Sequence, residues 1–465
     1  VNKISPRSGT TVTLGDSGDT FTIPSGATIN NQGTATNFGA TGSASWVTTV
    51  KTGDFTAVAG EGYFVNTTSG EVDVALPAGT AGAVVAIKDY ANTFDTNKVT
   101  LVQNGSDKIG GSTVNATLTT EGIAVTLVFI DSTQGWLVTD SGLQDEAPTA
   151  QYIAATGGTI TCCGNFKIHT FTGPGTFTVC SVGNASGSNT IEYLVVAGGG
   201  GSAGGSPGAV GSGGGGAGGL RFASSSIAPL TYPAKPLAGP ANLPVTATGY
   251  PVSVGGGGGG SPASPPSNTR GTAGTNSVFS GSTTITSTGG GGGGSDSGPG
   301  NTGGPGGSGG AGANGAAGGS GNTPPVSPAQ GEDGGTGLGT ATPGWGAGGG
   351  GGFTQAGQAA QGSNGGYGGD GGGFPTAFGA NGVPCGSYRY YAGGGGGGSG
   401  YNGTSFPAGA GGKGGGAAGK TGSQGPTTGN AGTTNSGGGG GGVATNSVGG
   451  SGGSGIVVIR YKFQN

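Results

Sequence analysis

Four separate runs of six consecutive glycines, at 255–260, 289–294, 393–398 and 437–442, constrain this chain more than any other feature. Glycine loses more conformational freedom on ordering than any other residue and brings no side chain to bury in return. A flexible linker has no reason to repeat one run length. Extended polyproline II helices, rising about 3.1 Å per residue, would each span roughly 19 Å over six residues, a plausible slab thickness. The runs are therefore read as architecture.

A polyproline II helix has three residues per turn and no internal hydrogen bonds, so its N–H and C=O groups point outward. With glycine at nearly every position, neighbouring backbones can approach closely enough to bond laterally and satisfy those groups. A stack of such helices can hold where a single one melts, because each lateral hydrogen bond returns about 1 kcal/mol against a backbone cost of about 1–2 kcal/mol per residue. Collagen, the other glycine architecture, needs a strict three-residue repeat, which runs of six glycines break. Disorder is the competing reading of 124 glycines and 25 prolines in 465 residues. Against it stand a net charge of only −4 and a hydrophobic content of 31%, since disordered chains usually combine high charge with low hydrophobicity.

Around the glycines the chain speaks in short strands. Residues 1–42 alternate Thr, Val and Ile with polar residues and are too few to bury a core alone, so they predict a β stem that pairs with copies of itself. Residues 43–142 carry strand-like segments separated by turn residues at intervals of about a dozen positions, which predicts a β-sandwich, with Trp46 and Trp136 as core plugs. Residues 143–164 read as a linker, and 165–465 as a glycine-rich tip domain bracketed by strands. Within it, 165–171 and 176–179 alternate cleanly about the turn 172–175 and predict an antiparallel hairpin. The apolar stretches 191–197 and 456–463 flank the glycine region and can pair, anchoring both ends of the insertion. The expected fold is thus mainly β, with a polyproline II lattice of glycine.

Several chemistries find no support. Only 15 Lys and Arg against 19 acidic residues leave no basic stripe for nucleic acid, and no apolar stretch reaches the roughly 18 residues of a membrane helix. The single histidine, His169, and the adjacent Cys162 and Cys163 do not form a metal-ligand pattern, so no metal or cofactor is expected. Cys162 or Cys163 could bridge to Cys180; buried free thiols, Cys385 included, are the plainer reading. Glu332 and Asp333 could ligate calcium or simply form a solvated turn. The Gly-x-Ser-x-Gly and Gly-x-Gly-x-x-Gly patterns recur only because glycine is everywhere, and the carboxylates are scattered, so no catalytic residues are assigned and the protein is expected to be non-enzymatic. A chain that opens on Val1 and contains no methionine is expected to be a processed or partial product, so the lack of a leader says nothing.

Side chains collect between the glycine runs. A rigid lattice pushes such segments to its edges, where aromatic and Arg side chains make a binding platform. Tyr388, Arg389, Tyr390, Tyr391, Tyr367, Tyr401 and Phe406 are the candidate binding residues. Trp345, Phe374 and Phe378 are read instead as capping the lattice or seating on the sandwich.

The segments FTGPGTFTV from Phe171, YLVVAGGGG from Tyr193, GGGAGGLR ending at Arg221, YPVSVGG from Tyr250 and GIVVIRY from Gly455 resemble the glycine-rich domain of bacteriophage tail-fibre and receptor-binding proteins. Residues 43–140 resemble a small β domain that recurs in tail fibres, and the opening 42 residues resemble fibre-stem segments of marine phages. The resemblance implies an adhesin located on the virion tail fibre. Its partners would be a host cell-surface receptor (glycan or outer-membrane protein), other tail proteins and further copies of itself, as a homotrimer. A structural fibre or decoration protein without a receptor role, and more remotely an ice-binding slab, are the alternatives. The loops match no known adhesin, so the receptor-contacting residues do not carry over.

Overall fold

The computed structural model describes residues 44–143, 150–184, 187–205, 210–225, 242–263, 269–296, 298–339, 345–400, 405–422 and 428–464, with a few isolated positions before 44. The stem expected over 1–42 therefore lies almost wholly outside the described residues. The chain forms two compact units, 1–148 and 149–465.

Among the described residues the first unit holds nine strands: β1 (Ser45–Lys51), β2 (Phe55–Thr56), β3 (Glu61–Val65), β4 (Val72–Ala75), β5 (Val84–Asp89), β6 (Val99–Val102), β7 (Ala116–Leu118), β8 (Ile123–Phe129) and β9 (Trp136–Leu143). They make two sheets, ordered β1-β3-β5-β8-β9 and β2-β4-β6-β7. The first six strands alternate between the sheets and pair in parallel within each, so the chain coils around its core before β7, β8 and β9 close it with antiparallel pairs. Period-two alternation supplies the core: Tyr63, Val65, Val74, Ile87, Leu101, Leu127 and Trp136 point inward. Trp136 is fully buried as expected, but Trp46 is 45% exposed. The reason is its place on edge strand β1, where its ring lies over Gly62 and beside Phe64 at 4.9 Å on the outer face.

The second unit is built on β10 (Ala154–Thr156), β11 (Thr159–Cys163), β12 (Phe166–Phe171), β13 (Gly175–Ser181), β14 (Thr190–Val196), β15 (Leu220–Ala223), β16 (Leu243–Pro244), β17 (Gly249–Ser253), β18 (Ser277–Ser280), β19 (Thr284–Ser287), β20 (Gly372–Pro375), β21 (Val383–Cys385), β22 (Tyr388–Tyr391) and β23 (Ile456–Lys462). A central sheet runs β11-β12-β23-β14-β15, with β16 against β14; a second runs β10-β13-β17-β18-β19; a third, small one runs β20-β22-β21. Strands β14 and β23 pair antiparallel from Glu192↔Arg460 to Val196↔Ile456, the expected closure of the glycine insertion.

Both faces of the central sheet are buried. Tyr193, Val195, Val457, Ile459 and Tyr461 join Phe177, Tyr250 and Phe279 of the second sheet in one core. The alternate residues Leu194, Val196, Ile456 and Val458 meet Phe222, Phe353, Phe374, Phe378 and Tyr391 in another. Phe374 and Phe378 are thus buried against the central sheet.

Three expectations fail here. The hairpin of 165–171 with 176–179 does not form: β12 pairs with β11 and β23, whereas β13 pairs with β10 and β17 in the other sheet. Alternation marks a strand with one buried face, and two strands facing each other across a core alternate as well as two strands side by side. The span 143–164 is not all linker, since β10 and β11 add edge strands to the two sheets. And the four cysteines are neither bridged nor buried; each carries a free, exposed thiol.

Candidate functional site

The glycine runs take neither strand nor helix pairing, and their hydrogen bonds leave in three directions in turn. Along 198–205, Gly198 and Gly201 N–H donate to Thr275 and Thr272, Gly199, Ser202 and Gly205 to Gly453, Gly450 and Ser447, and Gly200 to Gly216. Partners repeat every third residue, the signature of three residues per turn. The helix 211–219 is ringed the same way: Gly211, Gly214 and Ala217 donate to Trp345, Gly348 and Gly351; Ser212, Gly215 and Gly218 to Val443, Gly440 and Gly437; Gly213, Gly216 and Gly219 to Gly294, Gly291 and Thr288. The first neighbour is parallel and the other two antiparallel. A Cβ on Gly199, Gly200 or Gly201 would come within 2.1–2.2 Å of the carbonyl oxygens of Gly438, Gly291 and Gly259 respectively, so no other residue fits. Serines inside the lattice satisfy themselves on it: Ser202 Oγ donates to Gly441 O and accepts from Gly450 N, and Ser212 Oγ donates to Ala203 O and accepts from Val443 N.

At the lattice edge the same period decides what faces solvent. Helices 354–361, 365–371 and 407–413 lie side by side: Gln358 N–H donates to Tyr367 O, and Gly365, Gly368 and Gly371 donate to Pro407, Ala410 and Lys413. Every third residue points out, so Asn364, Tyr367 and Asp370 line one ridge and Pro407, Ala410 and Lys413 the next, while the residues between them are mostly buried. Lys413 Nζ lies 3.4 Å from Asp370 Oδ2, and Lys413 N–H donates to Asp370 Oδ1 at 2.8 Å. The Asp370 carboxylate, by charge and then by hydrogen bond, raises the Lys413 ammonium above its ordinary value. Gly371, beside both the Tyr391 and the Lys413 carbonyl oxygens, places the adjoining hairpin close by.

That hairpin grows directly out of the ridge, because 365–371 runs into β20, and β20 pairs with β22 and β22 with β21. Its root is apolar. Tyr391 is 1% exposed, packs edge-on against Phe374, and occupies the space above Gly382, whose φ of +81° no larger residue would adopt easily. Burial pushes its phenol well above the usual range. Tyr390 is buried as well, with its ring over Gly373. Tyr388 and Arg389 are half-buried, and the end of β21 and the turn 386–387 are exposed.

The structure thus divides the candidate residues. Tyr367 is 54% exposed in the middle of the ridge, and Phe406 is half-buried at the end of the neighbouring one. Tyr388 and Arg389 stand half-buried at the adjoining hairpin, with Tyr388 packed against the apolar cluster that holds Tyr391, whereas Tyr390 and Tyr391 are buried on opposite faces of β22. Tyr401 lies outside the described residues. Asp370 and Lys413 were not singled out from the sequence, although Tyr367-x-x-Asp370 and Ala410-x-x-Lys413 carry the three-residue spacing that puts them outward. Glu332 and Asp333 are half-buried and exposed, and Asp333 Oδ1 accepts from Gly321 N at 2.7 Å, a turn contact.

No curated protein matches the chain. A family model described as a glycine-rich domain matches residues 170–462, from the end of β12 to the end of β23, and so takes in the lattice, the ridges and the hairpin together. On that match, which covers more than half of its length, the chain belongs to the glycine-rich domain family.

Proposed function

We propose that the protein is a bacteriophage tail-fibre adhesin that binds a structure on the host cell surface, with the 149–465 unit as its recognition element. The observation that carries this reading is the exposed face formed by the ridges 365–371 and 407–413 and the hairpin beside them. A main-chain lattice is stiff and chemically monotonous, and its specificity can only come from the side chains it presents. Here Tyr367, Asp370, Lys413, Tyr388 and Arg389 supply aromatic, acidic and basic groups on a pre-ordered support, so little entropy is lost on binding. Asparagine and glutamine along the same edge offer amide donors and acceptors to a glycan or a protein loop. Binding, rather than turnover, is the proposed activity. It acts on the virion exterior, and copies assembled through the first 42 residues, as a trimer, strengthen it by linking sites.

The test is adsorption. Purified full-length protein should bind host cells and reduce infection by the parent phage in proportion to its concentration. Replacing Tyr367 and Arg389 together by Ala should weaken that block about tenfold or more, with the unfolding transition unchanged. A wild-type protein that neither binds cells nor blocks infection would remove the adhesin reading.

A further inference from the structure

Strand β14 runs into the lattice at its C-terminal end and β23 emerges from it, so the opposite end of the central sheet lies farthest from the glycine helices. There, where β12 and β14 begin and β23 ends, lies a cavity of about 240 Å³. No residue of the ridges or of the β20-β22-β21 hairpin is among the described residues that line it. Its wall is assembled from stretches far apart in sequence: Phe166 at the start of β12, Asn184 and 187–190 leading into β14, Ser225 and Asn242 beyond β15, and the last two residues of β23.

The stretch ahead of β14 is fixed before anything binds. Asn184 and Ser188 N–H both donate to Gln151 O, and Asn184 Oδ1 accepts from Gln151 N–H at 3.1 Å and from Gly187 N–H at 3.0 Å. Asn189 O accepts from Val245 N–H, which holds the backbone and leaves Asn189 exposed at the rim. Pre-ordering of this kind lowers the entropy lost on binding.

The lining chemistry is narrow. Asn184, Ser188, Asn189, Thr190, Ser225 and Asn242 bring amides and hydroxyls, which between them donate and accept, and Phe166 brings an aromatic ring. The one carboxylate among the lining residues, Glu192, has its charge taken up by Arg460, the two being 3% and 5% exposed. One acceptor is left over: Asn242 Nδ2 donates to Ser225 Oγ at 2.6 Å, whereas Asn242 Oδ1 is buried and has no hydrogen-bond partner. A buried acceptor left unpaired is costly, and a small rotation of the amide offers it to a donor entering the cavity. The matching ligand carries several hydroxyls, each able to donate and accept, together with C–H groups for the ring. A phosphate would call for paired cations instead. At about 30 Å³ per molecule the cavity has room for about eight waters. That is below the roughly 300–1,000 Å³ of a drug-sized pocket and enough for one sugar ring.

We propose that this cavity binds one pyranose ring of a neutral hexose, with Asn189, Asn242 and Ser225 on its hydroxyls and Phe166 against its C–H groups. The site is separate from the ridges and holds whether or not they bind a receptor.

Titration of the full-length chain with glucose, galactose and mannose, followed through backbone amide chemical shifts, tests this. At least one of the three should bind with a Kd on the order of 1 mM, as expected for so small a ligand, with the shifts concentrated at 187–192 and 242–243. Asn242→Leu should weaken that binding at least about fivefold with the unfolding midpoint unchanged. Should that variant fail to fold, Asn189→Ala replaces it with the same expectation. The proposal is overturned if none of the three sugars moves these amides at up to about ten times that concentration, or if the shifts fall elsewhere. It is equally overturned if the folded variant binds as tightly as the wild type. Binding of glucuronic or galacturonic acid with none of the neutral sugars would also overturn it, and would turn the cavity into an anion site served by Lys462.

Discussion

At Gly258 an added Cβ would lie 1.9 Å from the Thr272 carbonyl oxygen; at Gly256, two residues earlier on the same helix, the nearest atom would be 3.9 Å away. The two positions make an internal control on what glycine does here. Gly258→Ala must push a main-chain strut of the lattice aside and should cost about 2 kcal/mol or more, as overpacking does. Gly256→Ala should stay within about 0.5 kcal/mol, since it meets no neighbour and restricts the unfolded chain. Denaturant unfolding of both variants checks the pair; equal effects would mean that contact, as opposed to glycine content, does not set stability. His169 offers a second residue-scale test. It is fully buried, with Nδ1 2.7 Å from Gly157 O and Nε2 3.2 Å from the Tyr461 hydroxyl. A carbonyl can only accept, so Nδ1 carries the proton, and in the neutral imidazole that burial favours Nε2 accepts from Tyr461. Burial, aided by the charge of Lys167, holds its pKa below the ordinary 6.5. The unfolded state therefore binds the proton more readily, and stability that is complete above about 6.5 is lost as the pH falls toward the depressed folded value. The unfolding midpoint should drop over that window in the wild type, and the drop should shrink in His169→Gln.

Elements differ in how plainly the sequence announces them, and the difference is physical. Strands β14 and β23 were legible because each is a largely apolar run, as a strand buried on both faces tends to be, and because they bracket the insertion. The partners of β12 and β13 were not, because alternation reports one buried face and says nothing about which sheet the strand joins. Trp46 misled because size and aromaticity suggest a core, while edge position on β1 is a property of the whole sheet. In the candidate site, Tyr367 and the 388–391 cluster stood out by residue type, but only packing on both faces of β22 shows that Tyr390 and Tyr391 are buried. The clamp itself is testable. Glu192 and Arg460 are direct cross-strand partners on β14 and β23, are buried to 3% and 5% exposure, and form an ion pair with the guanidinium stacked 3.5 Å from the Phe166 ring centroid. Removing one partner leaves a buried charge uncompensated, so Glu192→Ala should cost about 3–5 kcal/mol. Glu192→Met combined with Arg460→Met should recover much of that loss, and a double-mutant cycle by chemical denaturation measures it. If the double variant is as unstable as the single one, the clamp does not work through charge.

For the whole molecule, the glycine domain and its family match do not share a boundary. The family match begins at 170, yet the compact unit begins at 149, and the difference holds β10 and β11. These strands are structural parts of the domain. Ile153 and Ala155 are buried in the core that contains Phe177 and Tyr461; β11 pairs with β12 over five residues; and Gly157 provides the acceptor that orients His169. A lattice with no side-chain core of its own depends on its β clamp for cooperative stability, so trimming the clamp should loosen the glycine helices far from the cut. A fragment of 149–465 is expected to fold alone, with slow amide exchange through 289–294, 393–398 and 437–442. A fragment of 165–465, which retains every glycine helix, loses a buried isoleucine and two edge strands, β10 and β11, and should be less stable by at least about 3 kcal/mol, with faster exchange in all three runs together. Equal stability of the two fragments would show that the lattice holds without this part of its clamp. Uneven loss, confined to the run nearest the missing strands, would show that the glycine helices do not act as one cooperative body.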